Sequence, residues 1–348
     1  MPDGHHKNIA LYGTIEQSSR TRHLGEELMS FFSTRLAAAA VALFTAAAPV
    51  VAQDLELTII APAGAGGGWD AAARALQDTM VRTGNAKSVQ VQNVPGAGGT
   101  VGLAQFVQNA RGSDDQMLVG GITMVGAILT NKAPVSLSDV TPIARLTGDP
   151  LVVVVPANSP HQTLADLTAA IQSDVANTIW AGGSAGGADH ILAALITQAA
   201  GADPSKVNYV AYSGGGEALA AMLGGQVTAG ISGYGEWQGQ IESGDLRALA
   251  ISYPEPIEGI DAQPLKAQGV DVELVNWRGI FAGPEISDET KQAFSAAIEN
   301  TVKSPEWQEV LTARGWTDYY APADEFETFI ASENERVGDV LRSIGLAE

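Results

Sequence analysis

The chain has 348 residues, no cysteine, and 39 acidic against 19 basic side chains, a formal net charge of −20. A surface this acidic excludes nucleic acid and anionic membrane surfaces as partners. Without cysteine there are no disulfides, so the fold must rest on an ordinary apolar core.

The first 52 residues read as material outside that fold. Residues 1–28 show no periodic apolar pattern, carry three of the five histidines, and read as a leader or an over-extended start. Residues 29–52, MSFFSTRLAAAAVALFTAAAPVVA, read as a secretory signal peptide. Arg35 supplies the positive segment, residues 36–48 the apolar one, and Val50-Val51-Ala52 a small-residue cleavage site ahead of Gln53. The apolar run is too short and too rich in alanine for a membrane span. Four basic and four acidic side chains precede residue 53, so the exported chain retains 15 basic and 35 acidic groups and the same net charge. No cysteine stands at the cleavage site to carry a lipid, and the expected destination is the periplasm.

From residue 55 short β-branched runs alternate with glycine loops and helical periods. LELTII (55–60) predicts the first strand, PAGAGGGWD a glycine loop, and residues 70–81 a helix with Ala73, Leu76 and Met80 on one face. SVQVQNV (88–94) predicts the second strand, PGAGGT the second glycine loop, and residues 100–110 a helix. MLVGGI (117–122) reads as a third strand, and LVVVVP (151–156) as a buried strand crossing into a second lobe. That lobe repeats the alternation through TIWAGGSAGGADH (178–190), VNYVAYSGGGE (207–217), VTAGISGYGEW (227–237) and LRALAIS (246–252). VELVNWRGIFAGP (272–284) reads as the return crossing, and helices from about 288, 305 and 324 close the first lobe. The expected architecture is α/β in two mixed lobes, residues 53–150 plus 277–348 and residues 151–276, hinged at two crossing strands.

Glycine-rich loops between a strand end and a helix start expose backbone N–H groups at the positive end of the helix dipole. Four such loops occur: Gly64 with Gly66, Gly67 and Gly68; Gly96 with Gly98 and Gly99; Gly183 to Gly187; and Ser213 to Gly216. In open α/β sheets they sit at the carboxyl ends of strands, where ligands bind. Their number suggests an anion with several negative groups, the alternative being tight turns with Asp70 and Thr100 as helix caps. The protein's own charge does not forbid this, because surface carboxylates are screened beyond about 8 Å. A handful of hydrogen bonds at roughly 1.5 to 3 kcal/mol each reaches the ~8 kcal/mol of micromolar binding.

Two enzyme readings carry less. Residues 182–186, GGSAG, match a nucleophile elbow at Ser184 with Asp189 and His190 nearby, but no histidine follows His190, where that triad requires one. In the first loop Trp69 occupies the place of the third glycine of a dinucleotide fingerprint. Only His161 and His190 remain after residue 52, with no clustered carboxylates, so neither metal nor cofactor is expected.

PAGAGGGWDAAAR (62–74), NVPGAGGTVG (93–102), AGGSAGGADH (181–190), SGGGEALAAMLGGQV (213–227) and NWRG (276–279) resemble the periplasmic solute receptor of tripartite tricarboxylate transporters, the TctC/Bug family. The likeness spans residues 53–348. It implies a bilobed venus-flytrap fold of the type II periplasmic binding class, in which two first-lobe loops hold one carboxylate through backbone N–H groups and ordered waters. Carried onto this chain, the implied pocket is Ala65, Gly66, Gly67, Gly68, Trp69 and Asp70; Gly96, Ala97, Gly98, Gly99 and Thr100; Ser184, Ala185, Gly186 and Gly187; and Ser213, Gly214 and Gly215. Thr123, His190, Tyr234 and Glu236 join it. The implied function is capture of citrate or a related di- or tricarboxylate by a monomer that delivers it to integral-membrane permease subunits. A carboxylate sensor for a two-component system and a secreted esterase at Ser184 are the alternatives. The GGGWD form resembles citrate-type receptors, whereas Ala188 replaces a bulkier residue before the aspartate of GGxDH and leaves the ligand open.

Overall fold

A computed structural model describes residues 55–212 and 214–348; the leader, the signal peptide and Ser213 lie outside the described residues. The predicted alternation is present from the start. Strand β1 (Glu56–Ala61) leads to helix α1 (Gly68–Arg82), β2 (Ser88–Asn93) to α2 (Thr100–Asn109), and β3 (Gln116–Gly121) to α3 (Ile122–Thr130). Helix α1 forms because Ala72, Ala73, Leu76 and Met80 recur at helical spacing and are buried. β1 lies parallel between β2 and β3, so all three strands end on the same side.

The long strand β4 (Thr141–Pro156) organises the sheet. Its residues 141–150 pair antiparallel with β9 (Val275–Ala282), and β10 (Thr317–Pro322) pairs with part of the same stretch. Residues 151–156 take different neighbours, β7 (Ala229–Gly233) and β8 (Leu246–Ile251). β5 (Ile179–Gly182) then continues from β7, and β6 (Asn208–Ala211) forms the edge, both parallel. The result is one ten-stranded curled path, β2-β1-β3-β9-β4-β7-β5-β6, with β8 and β10 attached to β4. Helices α4 (Leu164–Ser173), α5 (Ala188–Ala199), α6 (Gly215–Leu223) and α7 (Tyr234–Glu242) accompany the second half, and α8 (Asp288–Val302), α9 (Pro305–Arg314) and α10 (Ala323–Ser343) the first.

Sequence and structure part at four places. β4 begins ten residues before the predicted apolar run, because TPIARLTGDP mixes prolines and charges that hide a strand whose Arg145 is stacked on Tyr319 and Phe329 at 3.8 and 4.3 Å. α3 begins where the third predicted strand was expected to end; it is apolar on most sides and has no amphipathic period to read. The segment 227–237 divides at Gly233, with Tyr234 opening α7. α4 is unheralded except by its capping box of Thr163 and Asp166.

The apolar core runs continuously beneath the first half and into the second. Helix α10 closes it with Phe326, which meets Trp277 edge-on at 5.6 Å and Phe281 at 5.2 Å, and which occupies the space a side chain at Gly279 would fill. Buried Glu333 on the same helix accepts the Trp277 indole N–H at 2.8 Å and is paired with Arg336. Phe326→Ala should therefore destabilise the protein by about 3–5 kcal/mol in urea denaturation; a loss below about 1 kcal/mol would show that α10 is not part of the cooperative core.

Candidate functional site

Every helix starts with N–H groups that have no partner within the helix. Two solutions account for nine of the ten described α-helices, α10 following Pro322 without a side-chain cap. α4, α8 and α9 are capped by the side chains of Thr163, Ser287 and Ser304. Six others, α1, α2, α3, α5, α6 and α7, begin after Gly67, Gly99, Gly121, Gly187, Gly214 and Gly233, with no side-chain cap. All six contribute an N-cap or first-turn residue to the wall of one cleft of about 420 Å³. Helix starts stripped of caps and aimed at a common space suit an anion.

The cleft wall brings together Gly67, Gly68 and Trp69; Gly96, Ala97, Gly98 and Gly99; Thr123; Ser184 and Gly187; Gly214 and Gly215; and Glu236. The second loop is tightly specified. Gly99 has φ +93°, and a Cβ there would lie 2.5 Å from the Trp69 ring; at Gly98, φ +62°, it would meet the Ala127 Cβ at 2.5 Å. Ala97 between them also takes a positive φ of 48°. Thr123 links the halves, its hydroxyl accepting the Ala188 N–H at 3.3 Å.

The remaining candidates are placed elsewhere. Ala65, Gly66 and Ala185 are exposed on the outer turns of their loops, and Gly186 is packed against Thr130. Thr100 turns its hydroxyl onto the Ala97 carbonyl at 3.0 Å, and Tyr234 is buried in the small core of the second half. Asp70 and His190 brace loops from behind. Asp70 accepts hydrogen bonds from Gly66 N–H at 2.8 Å, Asn93 at 2.9 Å and Arg74 at 3.0 Å. His190 accepts the Gly186 N–H at Nδ1 and is stacked on Tyr209 at 4.2 Å; burial lowers its pKa to about 4, so the ring is neutral. Among the described residues no hydrogen bond joins Ser184 to His190.

Sequence reasoning missed the cleft's charged floor. Arg278 on β9 and Asp149 on β4 form an ion pair, 2% and 1% exposed, between Nη2 and Oδ2. It is wedged beneath both halves: a side chain at Gly68 would meet Arg278 Nη2 at 2.6 Å, and one at Gly233 would run into Asp149. The Trp316 ring supports the guanidinium at 4.8 Å. Burial raises the Asp149 pKa against the pull of Arg278. Asp189 and Glu236 line the same cleft. Asp189 accepts the Gly183 N–H at 2.7 Å, and burial, opposed by that bond and aided by Glu236 and Asp149, lifts its pKa to about 7. Glu236 opens to the cleft but is ringed by protein, and this desolvation together with Asp149 raises its pKa, while Arg278 and the Ser232 hydroxyl at 3.0 Å oppose the shift. The sequence carried one signal for this floor, since a charge inside an apolar strand, as in GDPLVVVV or NWRG, needs a buried partner.

Burial by itself would raise the Asp70 pKa, but its bonds to Arg74, Gly66 and Asn93 prevail and hold it below the ordinary value. The stabilisation is thus present above the unfolded pKa and is lost as pH falls through the folded one. Asp70→Asn should cost about 1–2 kcal/mol at pH 7, a gap that narrows below pH ~4; urea titrations at pH 7 and pH 3 check this, and an unchanged gap would refute the bracing role.

The model of the tripartite tricarboxylate transporter family receptor (TctC) matches residues 72–346. Protein BugT of Bordetella pertussis is 29% identical over 307 residues, covering 86% of this chain and 93% of that protein. Among solved structures, MatC from Rhodopseudomonas palustris with bound malate superposes with a TM-score of 0.73 at 23% identity, covering 84% of this chain and all of that one. An R. palustris protein solved with adipate gives 0.76 at 18% identity, covering 84% and 98%. Six bare helix starts around one cleft, on a curled α/β sheet shared with these proteins, accord with the family match: the chain belongs to the receptor family of the tripartite tricarboxylate transporters.

Proposed function

We propose that this receptor captures a small organic carboxylate in the periplasm and delivers it to the membrane permease of its transporter, without catalysing a reaction. The single observation that carries this reading is the convergence of six uncapped helix starts on one cleft. Their N–H groups supply the anion-binding power that the acidic composition withholds. The cleft's 420 Å³ suits a molecule the size of citrate or a dicarboxylate. Malate and adipate, present in two structural relatives, fall in the same class, and citrate is the first tricarboxylate to test.

Closure is part of the proposal. The lobes are residues 53–150 with 277–348 and residues 151–276, and the motion is taken up where β4 changes neighbours and where the chain returns through residues 252–274. Buried Ser252 sits at that joint, accepting the Leu151 N–H and donating to the Leu274 carbonyl. No described helix is long and apolar enough to cross a membrane, and in this proposal the permease is a separate component.

Thermal-shift screening against mono-, di- and tricarboxylates should find ligands that raise Tm in a concentration-dependent way. A flat response to the whole panel would sink the receptor reading for carboxylates. Gly98→Val forces a side chain into a left-handed position 2.5 Å from Ala127. On protein whose circular dichroism matches the parent, calorimetry should show affinity reduced on the order of a hundredfold, the loss of about two hydrogen bonds to a charged group. Undiminished affinity would show the loop to be a turn only.

A further inference from the structure

The charge of the cleft is at odds with a ligand that is anionic throughout. Among the described residues lining it, Arg278 is the single basic side chain, and Asp149 already engages it. Two further carboxyl groups, Asp189 on the first turn of α5 and Glu236 on the first turn of α7, face the same space from the second half of the sheet. Both are anchored. Gly183 N–H fixes Asp189, and the Ser232 hydroxyl fixes Glu236, whose carboxylate fills the space a Gly215 side chain would take. A carboxylate entering the cleft meets both of these groups as they are held.

The floor adds an independent sign. Arg278 Nη1 and Asp149 Oδ1 are fully buried and have no hydrogen-bond partner, although each residue's other terminal atom is used in the ion pair. Arg278, which holds that unused donor, lines the cleft, and Asp149 lies beneath it. One basic side chain with an unused donor and two anchored carboxyl groups around one cleft match a ligand that carries both signs of charge. A dicarboxylate dianion carries one sign of charge alone.

We infer that the cleft selects a carboxylate bearing a protonated amine, its carboxylate taken by the glycine loops of the first half and its ammonium by Asp189 and Glu236. The inference rests on the carboxylate-receptor reading and narrows it. It is also consistent with the ionisation of the wall. An ammonium between Asp189 and Glu236 favours their charged forms against the burial and the mutual repulsion, with Asp149, that raise both pKa values. Arg278 faces the pair from β9 as the one opposing charge, and neutral Tyr209 lies behind Asp189. Asp189 and Glu236 are specificity-determining residues here, and Arg278 with Asp149 positions the ligand between the halves.

The test compares ligands that differ by the amine alone: aspartate with succinate, glutamate with glutarate, β-alanine with propionate, and 4-aminobutyrate with butyrate, each titrated calorimetrically into the purified receptor at pH 7. In the pair that fits the cleft, the amine-bearing member should bind at least about tenfold more tightly. Asp189→Asn and Glu236→Gln should each weaken that member by about tenfold or more and leave its amine-free counterpart unchanged or improved. The parent protein's ligand order alone decides the matter, so failure of either variant to fold does not shelter the inference. Equal or tighter binding of the amine-free members overturns it and leaves the receptor reading standing. Absence of binding by all eight, together with a flat response to the mono-, di- and tricarboxylate panel, overturns both.

Discussion

The structure depends on how six helix starts are left unfinished. A side-chain cap contributes about 1 kcal/mol to a helix, and the chain uses such caps at α4, α8 and α9. Around the cleft it places glycine instead, which leaves first-turn N–H groups open to a ligand except where a neighbouring side chain takes one, as Thr123 takes that of Ala188 and Glu236 that of Gly215. The curled sheet makes this useful. β1, β2 and β3 end on one side of the first half, β5 and β7 likewise run parallel in the second, and the helices that follow begin at the cleft.

Beneath these starts lies a buried ion pair, both of whose residues belong to the first half, placed where the two halves meet. Taking a carboxylate and a guanidinium out of water is costly, and a pair of this kind rarely adds stability over apolar residues of similar size. Its position gives it a different significance, since Arg278 touches the first loop at Gly68 while Asp149 lies under Gly233 of the second half. The glycines of the loops therefore serve two purposes. Some free the backbone for a ligand, and others make room for the charges below.

Much of this was legible in the sequence. The glycine loops were placed at the right strand ends, and the α/β alternation predicted β1, α1, β2, α2 and the three C-terminal helices α8, α9 and α10 within a few residues. Periodicity failed where it carries no information. α3 is apolar nearly all round, and the first ten residues of β4 interrupt an apolar strand with charges whose partners lie more than 120 residues away. The site was legible as a set of loops but not as a charged volume. Thr123 and Glu236 reach the wall, while Asp70 and His190 support it from behind, and no local pattern distinguishes a residue that faces a cleft from one that faces the back of a loop. Arg278 stood inside a quoted motif, yet only the pairing of β4 with β9 reveals that it meets Asp149.

The change of neighbours along β4 has a mechanical meaning. Residues up to 150 belong to one set of strands and residues from 151 to another, and Pro150, at the junction, has no N–H to give to either ladder. A beam clamped at both ends and relieved at one point would bend there first. Asp149 is the residue beside that point, so any flexure of the backbone there would displace the floor charge with it: a joint at this place would carry its own electrode.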